Sequence, residues 1–165
     1  MCELLARHSK LIVNEAENEM TVQSNQVYLI PNNKFMTIRN SKLYLTDKEN
    51  MKGPHLTINT FFNSFATDYG HKAIAVILSG LGADGTEGIK AIKNAGGMVI
   101  VSDPETAEFD CIPSNAIATG MVDFILEPEL MPGTIEVCVK QDGEIVSEEK
   151  DDEKNLIAII YVIKK

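Results

Sequence analysis

The feature that most constrains the fold is the continuous apolar run Ala73–Leu78, which lies between an amphipathic segment and a glycine-rich loop. A short run that is apolar at every position is typical of a strand buried on both faces. The segment before it has apolar residues at the spacing of one helix face, namely Ile58, Phe61, Phe62, Phe65, Ala66 and Tyr69. These residues predict a helix that Thr57 caps and Gly70 ends, followed by a buried strand.

The same alternation continues to residue 139. Further strands are predicted at Met98–Val101 and Val122–Leu126, and further helices up to about Ala95, at Pro113–Gly120 and at Pro128–Val139. Strands that alternate with helices favour parallel pairing through right-handed crossovers. We therefore predict an α/β fold, a Rossmann-like layered domain with a mostly parallel sheet.

The residues before 57 predict a different local architecture. A short helix over Met1–His8 is followed by strand candidates at Leu11–Val13 and Gln26–Ile30. Two further apolar runs flank Asn40-Ser41, which is hairpin spacing, although serine suits the second turn position less well than glycine. We therefore expect a β-hairpin excursion at about 35–45.

The charge of the chain excludes one class of partner. The formal net charge is −9, whereas a nucleic-acid binder needs a basic face to displace counterions from phosphate. Residues 141–154 hold seven acidic and two basic residues, so −5 of this charge lies in one short stretch. We expect no nucleic-acid partner, and a globular part that is only mildly acidic.

Composition also indicates the cellular setting. No apolar run approaches the roughly 20 residues that a membrane span needs, and no secretion signal opens the chain. The three cysteines, Cys2, Cys111 and Cys138, are odd in number and far apart, which is typical of reduced thiols rather than bridges or zinc ligands. We expect a cytoplasmic protein without membrane insertion, metal or cofactor.

The segment with potential chemistry is Ser79–Gly85, at the carboxyl end of the predicted strand Ala73–Leu78. Open α/β sheets bind ligands at this edge, and amides at a helix N-terminus can hold an anion or an oxyanion. Asp84 brings a carboxylate to the same edge. The simplest interpretation is that Asp84 caps the helix that follows the loop.

Two other interpretations remain open from the residues alone. The glycines at 80, 82 and 85 fit the dinucleotide-binding pattern, and Asp103 follows the next strand, but Asp84 would put a negative charge into the phosphate cradle. Asp84 could instead orient a histidine in a Ser–His–Asp triad. None of the three histidines, His8, His55 and His71, is placed beside it by the predicted elements, and no nucleophile-elbow motif is present.

The residues from Ala73 to Gly85 resemble the catalytic domain of the chemotaxis protein-glutamate methylesterases, the CheB-type domain. The likeness continues through Gly88–Gly97, Asp103–Ala107 and Ile112–Gly120, and upstream it includes Val27–Lys34. Several motifs coincide in the same order from about Met1 to Val139. The resemblance is therefore far more specific than the glycine pattern alone.

The resemblance implies roles for two residues. In that family a serine, a histidine and an aspartate form the triad, and Asp84 occupies the aspartate position. The backbone N–H of Leu81 lies where an oxyanion donor is expected. The family's serine and histidine belong to its first two strands, and Met1 falls after both. We therefore expect only the aspartate of the triad in this chain, and no activity from the chain alone.

The resemblance also implies a division of the chain. Residues 1–139 match a methylesterase-like domain without its first strands, and 140–154 form an acidic linker. Residues 155–165 resemble the start of the methyltransferase domain that follows the esterase in CheB–CheR fusion proteins. Because the first strands are missing, we expect exposed apolar sheet edges and self-association.

The family's reaction is hydrolysis of glutamate methyl esters, together with deamidation of glutamine, on the cytoplasmic domain of methyl-accepting chemoreceptors. The resemblance therefore implies a role in chemotactic adaptation with these receptors as partners. Alternatives are a catalytically inactive remnant or interaction module and, less favoured, a dinucleotide-binding domain.

If Asp84 serves only as a helix cap here, Asp84→Asn should barely change the melting temperature.

Overall fold

A computed structural model of the chain describes residues 2–50 and 54–145. The first part contains one α-helix and four strands: α1 (Cys2–His8), β1 (Ile12–Glu15), β2 (Gln26–Leu29), β3 (Lys34–Arg39) and β4 (Lys42–Asp47). The second part alternates: α2 (Thr57–Tyr69), β5 (Ile74–Ile77), α3 (Thr86–Asn94), β6 (Met98–Ser102), α4 (Cys111–Ala118), β7 (Phe124–Leu126) and α5 (Met131–Ile145). The predicted alternation of helices and strands is confirmed.

Strands β5, β6 and β7 form a parallel sheet in that order. Ile74 of β5 lies opposite Met98 of β6, and Ile100 of β6 lies opposite Phe124 of β7. Strands β1 and β2 form a separate parallel pair, and β3 and β4 form the antiparallel hairpin. The predicted α/β class, with mostly parallel pairing and a hairpin excursion, is confirmed.

The parallel sheet is covered on both faces. Ala75, Ile77, Val99 and Val101 belong to the larger buried cluster with apolar side chains of α2, α3 and α4. The intervening positions, Ile74, Val76 and Ile100, pack with Met131 and Ile135 of α5 on the other face. Successive side chains of a strand point to opposite faces, so each strand of this central pair must be apolar at every position.

The last helix differs from its prediction. It begins at Met131 rather than Pro128 and runs to Ile145 rather than Val139, so residues 140–145, expected in a linker, are helical. The rest of that linker and the segment 155–165 lie outside the described residues. Within the described ranges, no helix is both long enough and apolar enough to cross a membrane.

The hairpin turn explains how serine is accepted where glycine is preferred. Asn40 and Ser41 both have positive φ, 51° and 56°, as the tight turn between β3 and β4 requires. The carboxylate of Asp68, on α2, accepts hydrogen bonds from the N–H groups of Asn40 at 2.6 Å and Ser41 at 3.0 Å. A side chain from another element therefore stabilises a turn that its own sequence favours only weakly.

We predict that Asp68→Ala lowers the free energy of unfolding by about 1 kcal/mol, because two hydrogen bonds to a charged but solvent-exposed acceptor are lost. Urea denaturation followed by circular dichroism measures the change. The matched control is Glu87→Ala on α3, which removes an exposed carboxylate paired with Lys90 at 2.7 Å and should cost less than about 0.5 kcal/mol. Equal losses in the two variants would contradict the role of Asp68.

Candidate functional site

Asp84 lies in the loop after β5, at the carboxyl edge of the parallel sheet, and is only 8% exposed. Its Oδ2 accepts a hydrogen bond from the N–H of Ile58 at 2.9 Å, and its Oδ1 accepts one from the N–H of Asn59 at 3.0 Å. Both donors belong to the first turn of α2. Asp84 therefore caps α2, and the expectation that it caps the helix directly after its own loop is wrong.

The expectation that Thr57 caps α2 is also wrong. Thr57 is the first residue within the helix, and Leu56, at the cap position, makes no side-chain capping bond. The first N–H groups of a helix lack partners within it and need an acceptor from elsewhere. Asp84 supplies that acceptor from 25 or more residues along the chain.

The side chain of Asn59, on α2, in turn accepts hydrogen bonds from the N-terminus of α3. Its side chain is buried, and its Oδ1 accepts hydrogen bonds from the N–H of Gly85 at 3.0 Å and of Gly88 at 2.8 Å. These donors lie at the N-terminus of α3, where an acceptor is also needed. Asp84 thus caps α2, and Asn59 of α2 caps α3; we call Asp84 and Asn59 the capping pair.

Sequence reasoning missed Asn59. A signal existed, because Asn59 is a polar residue directly beside the apolar stripe of α2, in its first turn. That position allows a buried amide, but its partners are the amides of Gly85 and Gly88, which only the tertiary structure brings to it.

The glycines of the loop have structural explanations. A Cβ at Gly80 would lie 2.6 Å from Cδ1 of Ile112, and Gly85 has a φ of +107°. The amides of Gly85 and Gly88, which would face a phosphate in a dinucleotide site, donate to Asn59 instead. The structure therefore gives Gly80 a packing role and Gly85 a conformational one, and the bonds to Asn59 occupy two amides at the N-terminus of α3.

Leu81 lies at the same edge, with its side chain 54% exposed. The loop around it is fixed by three hydrogen bonds: Gly80 N–H to Phe109 C=O at 3.0 Å, Ile112 N–H to Gly80 C=O at 3.0 Å, and Asn115 Nδ2 to Gly82 C=O at 2.9 Å. Within residues 2–50 and 54–145, no acceptor is found for the Leu81 N–H. The hydrogen bonds of Gly80 and Gly82 therefore fix the backbone on both sides of this amide.

Ser79 and the histidines do not form a triad with Asp84 in the described residues. Ser79 Oγ accepts a hydrogen bond from Phe109 N–H at 2.9 Å, which ties two loops together. His71 lies next to Gly96 at the opposite end of the sheet, His55 stacks on the Phe35 ring, and His8 ends α1. Nor does any group of acidic, histidine or cysteine side chains in the described ranges form a metal site.

The capping pair changes the expected effect of Asp84→Asn on stability. The asparagine amide has one acceptor oxygen, so one helix N–H loses its partner and faces an NH₂ donor in a buried site. We predict a loss of about 1–3 kcal/mol in the free energy of unfolding. Thermal and urea denaturation of the wild-type and variant chains measure it.

The control is Asp103→Asn at the same sheet edge. Asp103 Oδ1 accepts one hydrogen bond, from the N–H of Glu105, and an asparagine oxygen can replace that acceptor. This variant should therefore stay close to the wild-type stability. Asn59→Ala, which leaves two buried N–H groups without an acceptor, should be at least as destabilised as Asp84→Asn. Wild-type stability in both variants of the capping pair would contradict its role.

Comparison with known proteins identifies a family and several relatives that this chain resembles. A family model described as CheB methylesterase matches residues 1–135. The chain is 38% identical to an uncharacterized 104.1 kDa protein of Rhodobacter capsulatus, over 96% of this chain and 17% of that protein. It is 34% identical to a protein-glutamate methylesterase/protein-glutamine glutaminase of Pyrococcus abyssi, over 77% of this chain and 36% of that protein. The chain thus spans well under two thirds of these two curated relatives.

A solved structure gives the same result. The CheB methylesterase catalytic domain of Thermotoga maritima superimposes with a TM-score of 0.72 and 31% sequence identity, covering 81% of this chain and 72% of that one. The Rossmann-like fold and the resemblance to the CheB-type catalytic domain, predicted over about Met1 to Val139, are confirmed. Sequence, family model and structure agree that the chain belongs to the CheB methylesterase family.

Proposed function

We propose that this chain is the aspartate-bearing part of a protein-glutamate methylesterase that hydrolyses glutamate methyl esters, and deamidates glutamines, on chemoreceptors. The observation that carries the proposal is Asp84, which in a chain of this family is held at the carboxyl edge of the parallel sheet by two backbone hydrogen bonds. The names of the curated relatives support the same reaction.

The proposed reaction is acyl transfer through a serine. The serine oxygen attacks the ester carbonyl, the histidine takes the serine proton and gives it to the leaving methoxide, and methanol departs. Water then hydrolyses the acyl-enzyme, again with the histidine as base, and releases a glutamate carboxylate. No cofactor enters the proposal.

Asp84 is proposed to hold that histidine in the correct tautomer and to stabilise its imidazolium. Each carboxylate oxygen accepts one backbone hydrogen bond in this structure and can accept a second. Capacity for the imidazole N–H therefore remains. Because its two anchors lie on the buried first turn of α2, the carboxylate cannot rotate without losing both, which gives the fixed geometry that such a role needs.

The backbone N–H of Leu81 is proposed as an oxyanion donor. Hydrogen bonds to Gly80 and Gly82 fix the backbone on both sides of this amide, for which the described residues show no acceptor. A donor fixed before the reaction stabilises developing charge without reorganisation, which is the basis of an oxyanion hole. The proposal assigns the serine and histidine to polypeptide other than these 165 residues.

We predict that the 165-residue chain alone releases no methanol from receptors carrying radiolabelled methyl esters, since loss of a triad serine can remove about 10⁶ of the rate. A chimera would supply the proposed serine and histidine: the part of the Pyrococcus abyssi relative that precedes the matched region is joined to this chain where the match begins. It should release methanol. Asp84→Asn in the chimera should lower the rate by about 10⁴, because the wrong histidine tautomer is favoured.

Glu87→Gln serves as the control in the same chimera, because Glu87 is an exposed carboxylate three residues from Asp84 and pairs with Lys90. This variant should keep the parent rate. A folded chimera that releases no methanol would reject the proposed reaction and favour an inactive remnant. Release by the chain alone that Ser79→Ala abolishes would place the nucleophile in the loop after β5.

We also propose the division of the chain into a domain over 1–139, a linker over 140–154 and the start of a following domain over 155–165. The relatives from Leptospira interrogans and Pyrococcus horikoshii align with 76% and 80% of the chain, whereas the Rhodobacter capsulatus alignment covers 96% of it. That alignment must include most of 140–165, which supports a counterpart of this region in a much longer protein. Helix α5 runs to Ile145, six residues into the proposed linker.

Self-association through a sheet edge is proposed as well. Among the described strands β7 pairs only with β6, and Phe124 and Ile125 on β7 are exposed apolar residues. An unpaired apolar edge favours pairing with a second chain. We predict a dimer or larger assembly by light scattering, shifted toward monomer by Ile125→Lys but not by Leu4→Lys on α1. A monodisperse wild-type monomer would contradict this prediction.

A further inference from the structure

A cavity of about 390 Å³ lies at the amino ends of the parallel strands. Its lining includes the first residues of β5, β6 and β7, which are Ile74, Met98 and Phe124, and Val139 of α5. Asp84 lies at the carboxyl edge of the same sheet, so the cavity and the candidate site are at opposite edges. We call this cavity the amino-edge cavity.

The charged side chains at the amino-edge cavity are mostly basic. His71 and Lys72 come just after α2, and Lys93 lies in the last turn of α3. Among the described lining residues the only acid is Asp123, which accepts hydrogen bonds from Lys93 Nζ at 2.6 Å and from the Val99 N–H at 2.8 Å. Two lysines and a histidine thus share this cavity with one carboxylate, in a chain whose formal net charge is −9.

The carboxyl edge of the sheet has the opposite charge. Residues 79–86 and 102–115 contain no lysine, arginine or histidine, whereas residues 103–110 contain four carboxylates, Asp103, Glu105, Glu108 and Asp110. Attraction between opposite charges and repulsion between like charges both grow as the charges approach. An acidic stretch of polypeptide is therefore favoured at the amino edge and disfavoured at the carboxyl edge.

An acidic stretch of this chain begins within reach of the amino-edge cavity. Residues 148–153 contain five carboxylates and one lysine, and we call them the acidic segment. Helix α5 starts after the carboxyl end of β7 and brings Val139 to the cavity. Ile145 lies six residues further on, about 9 Å along the helix, and three extended residues span about 10 Å. Glu148 can therefore return to the cavity, and the residues after it have more length.

We propose that the acidic segment docks at the amino-edge cavity, with its carboxylates against the ammonium groups of Lys72 and Lys93. Polypeptide that follows residue 153 then leaves the domain at the edge opposite Asp84, which keeps the candidate site open to a substrate. Binding comes from several ion pairs on one segment, because a single exposed pair contributes little. The inference gives a binding surface to part of the proposed linker and does not depend on the proposed reaction.

Carbodiimide coupling of the 165-residue chain tests the proposal, because it joins a lysine amine to a carboxylate only where the two groups meet. Mass spectrometry of the digested chain identifies the joined residues. We expect links from Lys72 or Lys93 to the acidic segment at low salt. Their yield should fall at least about threefold at about 1 M salt, where the Debye length is about 3 Å. The absence of links from both lysines to the acidic segment would overturn the proposal.

Lys34, at the start of β3, is the matched control within the same chain. The side chains of Lys34 and Lys93 are 30% and 28% exposed, and each pairs with one aspartate, Asp47 at 2.7 Å and Asp123 at 2.6 Å. Both of these ion pairs should couple, which shows that both amines react. Of the two lysines, only Lys93 should also couple to the acidic segment. Equal coupling of the acidic segment to Lys34 and Lys93 would contradict docking at the amino-edge cavity.

Charge reversal provides a second arm. Lys72→Glu should lower the coupling of the acidic segment to Lys93 at least about threefold. Adding Glu148→Lys and Glu149→Lys to that variant should restore a contact, seen as links between position 72 and positions 148 or 149. The matched reversal, Lys10→Glu, changes an exposed lysine before β1 and should leave the coupling unchanged. Circular dichroism checks that each variant is folded, and equal losses in Lys72→Glu and Lys10→Glu would reject the proposal.

A mixture of isotopically labelled and unlabelled chains separates coupling within one chain from coupling between chains. Links within one chain are expected. Links only between chains would overturn the proposal and indicate a second copy as the occupant of the amino-edge cavity. None of these outcomes depends on methanol release by the chimera, so failure of the docking proposal and failure of the proposed function are distinguishable.

Discussion

Two buried side chains exchange backbone hydrogen bonds between the first turns of α2 and α3, and the carboxyl edge of the sheet depends on that exchange. Asp84 satisfies amides of Ile58 and Asn59, while Asn59 satisfies amides of Gly85 and Gly88. Each bond replaces one that the buried amide would otherwise make with water, so removing either side chain leaves donors unsatisfied. The capping pair fixes the C-terminal end of the loop that carries Leu81, and hydrogen bonds to Phe109 and Asn115 hold the rest of that loop.

Hydrophobic patterns predicted β5 and α2, because the burial of each element is visible in its own sequence. The run Ala73–Leu78 predicted a strand because both faces of β5 are covered, and the stripe from Ile58 to Tyr69 predicted α2 because one face packs on the sheet. The cap of α2 could not be predicted in this way. Its acceptor comes from Asp84, far along the chain, and the local candidate Thr57 lies inside the helix.

The same limit applies elsewhere in the fold. Asn40-Ser41 predicted a turn, but the acceptor that stabilises it, Asp68, belongs to α2 and has no local signature. The acidic composition after Val139 suggested a linker, although α5 continues to Ile145. In the candidate site, the family resemblance predicted roles for Asp84 and Leu81 that stay predictions, whereas the hydrogen bonds of Asn59 to Gly85 and Gly88 are visible only in the tertiary structure.

The capping pair also predicts how the sequence of such a domain would change in evolution after loss of catalysis. Two separate constraints act on Asp84, one from the fold and one from the proposed histidine. The fold needs its two acceptor oxygens whether or not a histidine is present. Selection for a folded domain is then sufficient to retain the carboxylate. A serine or histidine kept only for chemistry has no such protection, so position 84 should be the last of the three to change in a decaying lineage, and substitutions there should be accompanied by changes at position 59.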